Sequence, residues 1–94
     1  MITVEISKDS IVTNGHASEL ICNSVSVLMW ALSISLMKND AYDLVVKEDD
    51  GYEQISFTPT EKTSPIFTGI AECFKALGEQ FPDEVKIFYK IKNF

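Results

Sequence analysis

Residues 18–38 read SELICNSVSVLMWALSISLMK, and the fold turns on whether this run is helix or strand. Residues 23–27 alternate polar and apolar, and the β-branched Val25 and Val27 would suit a strand. Length decides for helix, because strands in globular proteins seldom exceed about ten residues. At about 100° per residue, Ile21, Val25, Leu28, Met29, Leu32 and Leu36 share one stripe, and Val27, Ala31 and Ile34 make a second apolar face. The first face has a sheet to cover; the second needs a neighbouring helix or another subunit. Ser26 and Ser33 form a polar strip between them, with Cys22 at its border with the core stripe. Asn23, Ser24, Ser26, Ser33 and Ser35 interrupt the apolar run, so it reads as a buried helix and not as a membrane span, which wants roughly 20 predominantly apolar residues.

Upstream, Ile2, Val4 and Ile6 alternate with Thr3, Glu5 and Ser7, the period of a half-buried strand. Residues 8–10 read as a turn and 11–13 as a short returning strand, before Asn14-Gly15 breaks the chain. Downstream, Asn39-Asp40 ends the helix. Tyr42, Leu44 and Val46 then alternate with Asp43, Val45 and Lys47, and Glu48-Asp49-Asp50-Gly51 supplies a hairpin turn whose glycine is available for φ > 0. The return strand spans 52–58, with Ile55 and Phe57 on one face, and 59–63 is a polar, mobile connection. Ser64 is the expected N-cap ahead of Pro65, and Ile66, Ile70, Phe74, Leu77 and Phe81 form the apolar face of a second helix. After Phe81-Pro82-Asp83, Val85, Ile87, Tyr89 and Ile91 alternate with Lys86, Lys90 and Lys92 in a last strand; Phe88, on the opposite face, marks where that face is covered. The order predicts a single α+β domain over 1–94, a two-layer sandwich with two helices packed on one face of a mostly antiparallel sheet of four to five strands. The strand order is left open.

Fourteen Asp and Glu against eight Lys and Arg give a net charge of −6, which lacks the footprint of a nucleic-acid binder and disfavours anionic membrane surfaces. A basic protein or peptide partner fits better. Two cysteines and one histidine, without Cys-x-x-Cys spacing, do not make a four-ligand zinc site, so no metal or cofactor is expected. No basic region followed by an apolar run precedes the first strand, which leads us to expect no signal peptide, a cytoplasmic location and reduced thiols.

The one stretch with chemistry is 14–26, where His16 stands six residues before Cys22. A thiol near a helix start with an imidazole at hand is the minimum equipment of a thiol hydrolase. If Ser18 caps the helix, Cys22 lies in its first turn, and Gly15 lets the chain turn His16 back over the helix terminus. Glu19, three residues from each, is placed to orient the imidazole in a supporting role. Free amides at the helix start would hold an oxyanion. On spacing alone packing is the better account, with Cys22 a core thiol and His16 a turn residue. Cys73 reads as core filler, Trp30 and Met29 as core or interface, and Glu48, Asp49, Asp50 and Glu53 as a solvated hairpin tip.

Gly15-His16-Ala17, then Glu19-Leu20-Ile21-Cys22-Asn23-Ser24-Val25-Ser26, and later Cys73-Phe74-Lys75-Ala76-Leu77 with Phe81-Pro82 before a strand, resemble the ribosomal-processing cysteine protease family, Prp. That family carries Gly-His-Ala, an Asp-x-x-Cys-Ala-Ala-x-Ser motif opening a helix, and Gly-Leu-x-x-Ile before Tyr-Pro. The resemblance spans nearly the full length and implies a homodimeric, cytosolic cysteine protease. In bacteria this protease removes an N-terminal extension from a large-subunit ribosomal protein, and it has relatives in prophages. It implies Cys22 as nucleophile and His16 as catalytic histidine, with Glu19 in place of the aspartate and Gly15 and Ser26 as supporting motif positions. The chain departs from the family in the five residues between His16 and Cys22, where a longer loop is usual, and in Asn23-Ser24 replacing paired alanines. The shortened loop motivates an alternative, a catalytically inactive dimeric binding or structural protein of prophage origin.

Overall fold

The computed structural model describes residues 1–90. Strands β1 (Ile2–Ile6) and β2 (Ser10–Gly15) precede helix α1 (Glu19–Lys38). Strands β3 (Tyr42–Asp49) and β4 (Tyr52–Thr58) follow, then helix α2 (Ser64–Gln80) and strand β5 (Val85–Tyr89). The sheet runs β3-β4-β2-β1-β5. Every neighbouring pair is antiparallel except β1 with β5. The parallel pair follows from the connection, since α2 carries the chain from β4 over the sheet to its far edge. The expected two-layer α+β sandwich is present, with a mixed sheet of five strands.

Residues directly opposite one another share a face, so Ile2, Val4, Ile6, Ile11, Ile55 and Val85 all point at the helices, and all are buried. Against them α1 places Ile21, Val25, Met29, Leu32 and Leu36. Leu28, read as part of that stripe, is only partly buried. The second face of α1 is open: Val27 is 56% exposed, Trp30 55% and Ile34 49%. By length and composition α1 could cross a membrane, at 20 residues and mean hydropathy 1.8. Its buried stripe is instead committed to the sheet. Asp40 (φ +56) ends the helix in the left-handed region, with its own N–H returned to the Met37 carbonyl (3.2 Å) and that of Ala41 to Leu36 (3.0 Å).

Several boundaries differ from the sequence reading. β2 does not stop at Thr13: Asn14 pairs with both Thr3 and Tyr52, and Gly15 pairs with Ile2. In β3 an irregularity between Tyr42 and Val45, with Asp43 at φ +54, inserts one extra residue against β4. Tyr42 is thereby turned to the face away from the helices, opposite to Leu44 and Val46. Residues 59–63 form an ordered turn, in which Thr63 Oγ1 accepts from the Thr60 N–H (3.0 Å) and Thr63 is 1% exposed. Thr63, not Ser64, is therefore the N-cap of α2, with no side-chain capping bond because its hydroxyl is already used in the turn. Phe67 and Phe74 are the buried members of α2, and the Phe67 ring meets Phe57 at 5.2 Å. Phe88 is 43% exposed, its face partnered by the Lys86 ammonium at 5.6 Å and, among the described residues, not covered by another layer. Cys73 is exposed and not core filler, at the edge of a groove between α1 and α2. Ile91 and Lys92 lie outside the described residues.

Candidate active site

The segment from β2 into α1 is held at both ends. Gly15 (φ +108) lies so close to the Met1 carbonyl that a Cβ there would overlap it. The Met1 amino group donates to the His16 carbonyl (2.6 Å). At the helix start, Ser18 Oγ accepts from the Ile21 N–H (3.4 Å), the expected cap. The Ser18 N–H donates to Glu84 Oε1 (2.9 Å), and the Ser18 hydroxyl, with this N–H second, holds the Glu84 carboxyl below its usual range.

Cys22 is half-buried at the fourth residue of α1. Its Sγ accepts from the Ala17 N–H and donates to the Ala17 carbonyl, both at 3.4 Å. Its own N–H makes the first helical hydrogen bond, to Ser18 (2.9 Å), and cannot serve an oxyanion. The helix-start amides left over are those of Glu19 and Leu20; both residues are exposed and neither lines the cleft described next.

That cleft, of about 390 Å³, is lined by Cys22, Val25 and Ser26 of α1 and by Gly15 and His16. The tip of the β3–β4 hairpin, from Glu48 to Glu53, supplies a further wall. Of the residues singled out from sequence, the cleft therefore brings together Cys22, His16, Gly15 and Ser26, and leaves Glu19 outside. His16 is 65% exposed in its side chain and turns Nε2 toward Asp50 Oδ1 at 3.9 Å.

The hairpin wall is what sequence reasoning missed. Glu53 pairs with Glu48 on one side and with Thr13 on the other, on the helix-facing side of the sheet. Burial pushes the Glu53 carboxyl above its usual value, the opposing Glu48 adds to this, and a hydrogen bond from Ser26 pulls it back. Strand parity was the available signal, since an inward Ile55 requires an inward Glu53 two residues earlier. The cleft is thus an acidic groove with one thiol and one imidazole. Among the described residues no three His, Cys, Asp or Glu side chains are grouped to hold a metal ion.

No family model and no curated protein matches the chain. Solved structures do. The essential ribosomal processing protease Prp of Staphylococcus aureus, in complex with a covalently linked product peptide, superposes with TM-score 0.84 at 19% identity, covering 96% of this chain and 100% of that one. The same protease with a substrate peptide gives TM-score 0.85 at 15% identity, again over 96% and 100%. A Streptococcus mutans protein gives TM-score 0.72 at 28% identity, over 95% of this chain and 96% of that one. The chain has the fold of the ribosomal processing protease Prp.

Proposed function

We propose that the protein is a cysteine endopeptidase of the Prp type, with Cys22 as nucleophile and His16 as general base and then acid. The observation that carries this is the shared cleft: a half-buried thiol and the chain's single histidine line one groove, in the fold of a protease that takes peptides. His16 accepts the thiol proton as sulfur attacks the scissile carbonyl, and returns it to the departing amine. Water then hydrolyses the thioester by the reverse traffic. Gly15 permits the turn that presents the imidazole, and Ser26 braces the hairpin wall through Glu53. Glu19 is left with an indirect role through the charge of the helix start.

The acidic wall supports a basic substrate, and the ribosomal-processing resemblance supports the N-terminal extension of a large-subunit ribosomal protein. The same reading makes the protein a homodimer through the open face of α1, working in the bacterial cytoplasm and encoded by a host or a prophage. Incubated with such a ribosomal protein, the protein is expected to cleave it, with Cys22→Ala and His16→Ala each losing at least about 100-fold in rate while melting as before. Undiminished cleavage by Cys22→Ala would remove the nucleophile. One observation favours a non-catalytic binding protein instead: both hydrogen bonds of the thiol go to the Ala17 backbone. Peptide binding without turnover in any variant would establish that reading.

A further inference from the structure

A histidine that relays a proton needs its second nitrogen held, and in this chain Glu19 does not line the cleft. The β3–β4 turn stands in that place. Gly51 (φ +69) lies under the ring, so close that a Cβ on it would fall 2.5 Å from His16 Nε2 and 3.1 Å from Cε1. The Gly51 carbonyl accepts from the Gly15 N–H at 2.8 Å, tying the turn to the residue before His16. Asp50 presents Oδ1 to the same Nε2 at 3.9 Å, from a side chain 95% exposed and able to move closer. That separation exceeds a hydrogen bond in the free protein, as is common before substrate arrives.

We propose that Asp50 and Gly51 position His16 for proton transfer, Asp50 accepting from Nε2–H and Gly51 serving as the shelf on which the ring lies. The arrangement, which rests on the protease reading above, leaves Nδ1 as the nitrogen to take the thiol proton. The proton leaves Sγ for Nδ1 as the sulfur–carbon bond forms. The imidazolium is balanced by the Asp50 carboxylate, and Nδ1 gives the proton to the amine as the carbon–nitrogen bond breaks. Asp50 acts on the reacting atoms only through His16 and is a positioning residue.

Alkylation of Cys22 by iodoacetamide tests this without a substrate, in a Cys73→Ser background so that one thiol reports. Removing a negative charge beside a thiolate would by itself speed alkylation, so the sign is diagnostic. His16→Ala and Asp50→Ala are each expected to slow alkylation roughly tenfold, and Asp50→Glu, which keeps the carboxylate, to restore most of the rate. In the His16→Ala background Asp50→Ala is expected to cause no further slowing, which a loss of folding would not mimic. If His16→Ala slows the reaction and Asp50→Ala leaves it unchanged or faster, the positioning role is overturned and the protease reading stands. If His16→Ala is as fast as the parent, both fall together.

Discussion

Glu53 shows how one residue reports on the cleft. It sits opposite Glu48, and like charges directly across two strands repel. Its carboxyl is partly removed from water, and this, more than Glu48, puts its folded value above the ordinary 4.5. A raised value means the folded state binds the proton more tightly than the unfolded chain. Stability from this group is therefore lost as pH rises through the folded value, and it is regained on acidification toward 4.5. Glu53→Gln keeps an acceptor for the Ser26 hydroxyl and removes the charge. It is expected to be more stable than the parent at pH 7, by about 0.5 kcal/mol, and the gain should shrink as pH falls to the carboxylate range. Urea denaturation at several pH values measures this, and an equal gain at pH 4 and pH 7 would show that charge is not the cause.

At the scale of elements, two glycines that look alike in sequence behave oppositely. Gly51 needs its positive φ in the hairpin turn and its missing Cβ beneath His16. Gly69 lies inside α2 with nothing within 4 Å of where a Cβ would be. Gly69→Ala is expected to stabilise the domain by about 0.5–1 kcal/mol through helix propensity and a less flexible unfolded chain. Gly51→Ala is expected to cost about 1–2 kcal/mol from the left-handed backbone alone. Both are read from the midpoint of chemical denaturation. The turn at Gly51 was legible in sequence because acidic residues and a glycine separate two alternating runs. Its contact with His16 was not, because the two meet only when β2 and β4 pair. The same limit applies to Tyr42, whose face depends on an extra residue that alternation does not reveal. It applies also to Cys73, which the helical period puts near the apolar face of α2 but which is exposed beside the groove between the helices. Cys22 and His16 were found because they are the rare chemical groups of a short segment, whereas Glu19 looked close in sequence and projects from an exposed helix start.

Among the described residues, the sheet has one face under the helices and the first helix has one face left open. Leu20, Val27, Trp30, Ile34 and Met37 lie on one side of α1 and are each about half exposed or more. Scattered exposed apolar side chains are ordinary, but a continuous stripe along a 20-residue helix is the pattern of an interface. A second copy is the occupant that the proposed homodimer requires, and a two-fold contact would set the stripe against itself. Aromatic anchors dominate such contacts, which singles out Trp30 at the middle of the helix. Trp30→Glu with Ile34→Glu is therefore expected to give a monomer in sedimentation at concentrations where the parent sediments as a dimer. Folding should persist, because neither side chain belongs to the buried stripe of Ile21, Val25, Met29, Leu32 and Leu36. A parent that sediments as a monomer across the same concentrations would refute the dimer. A double variant that remains dimeric would move the interface elsewhere, with the open sheet face around Phe88 the next surface to test.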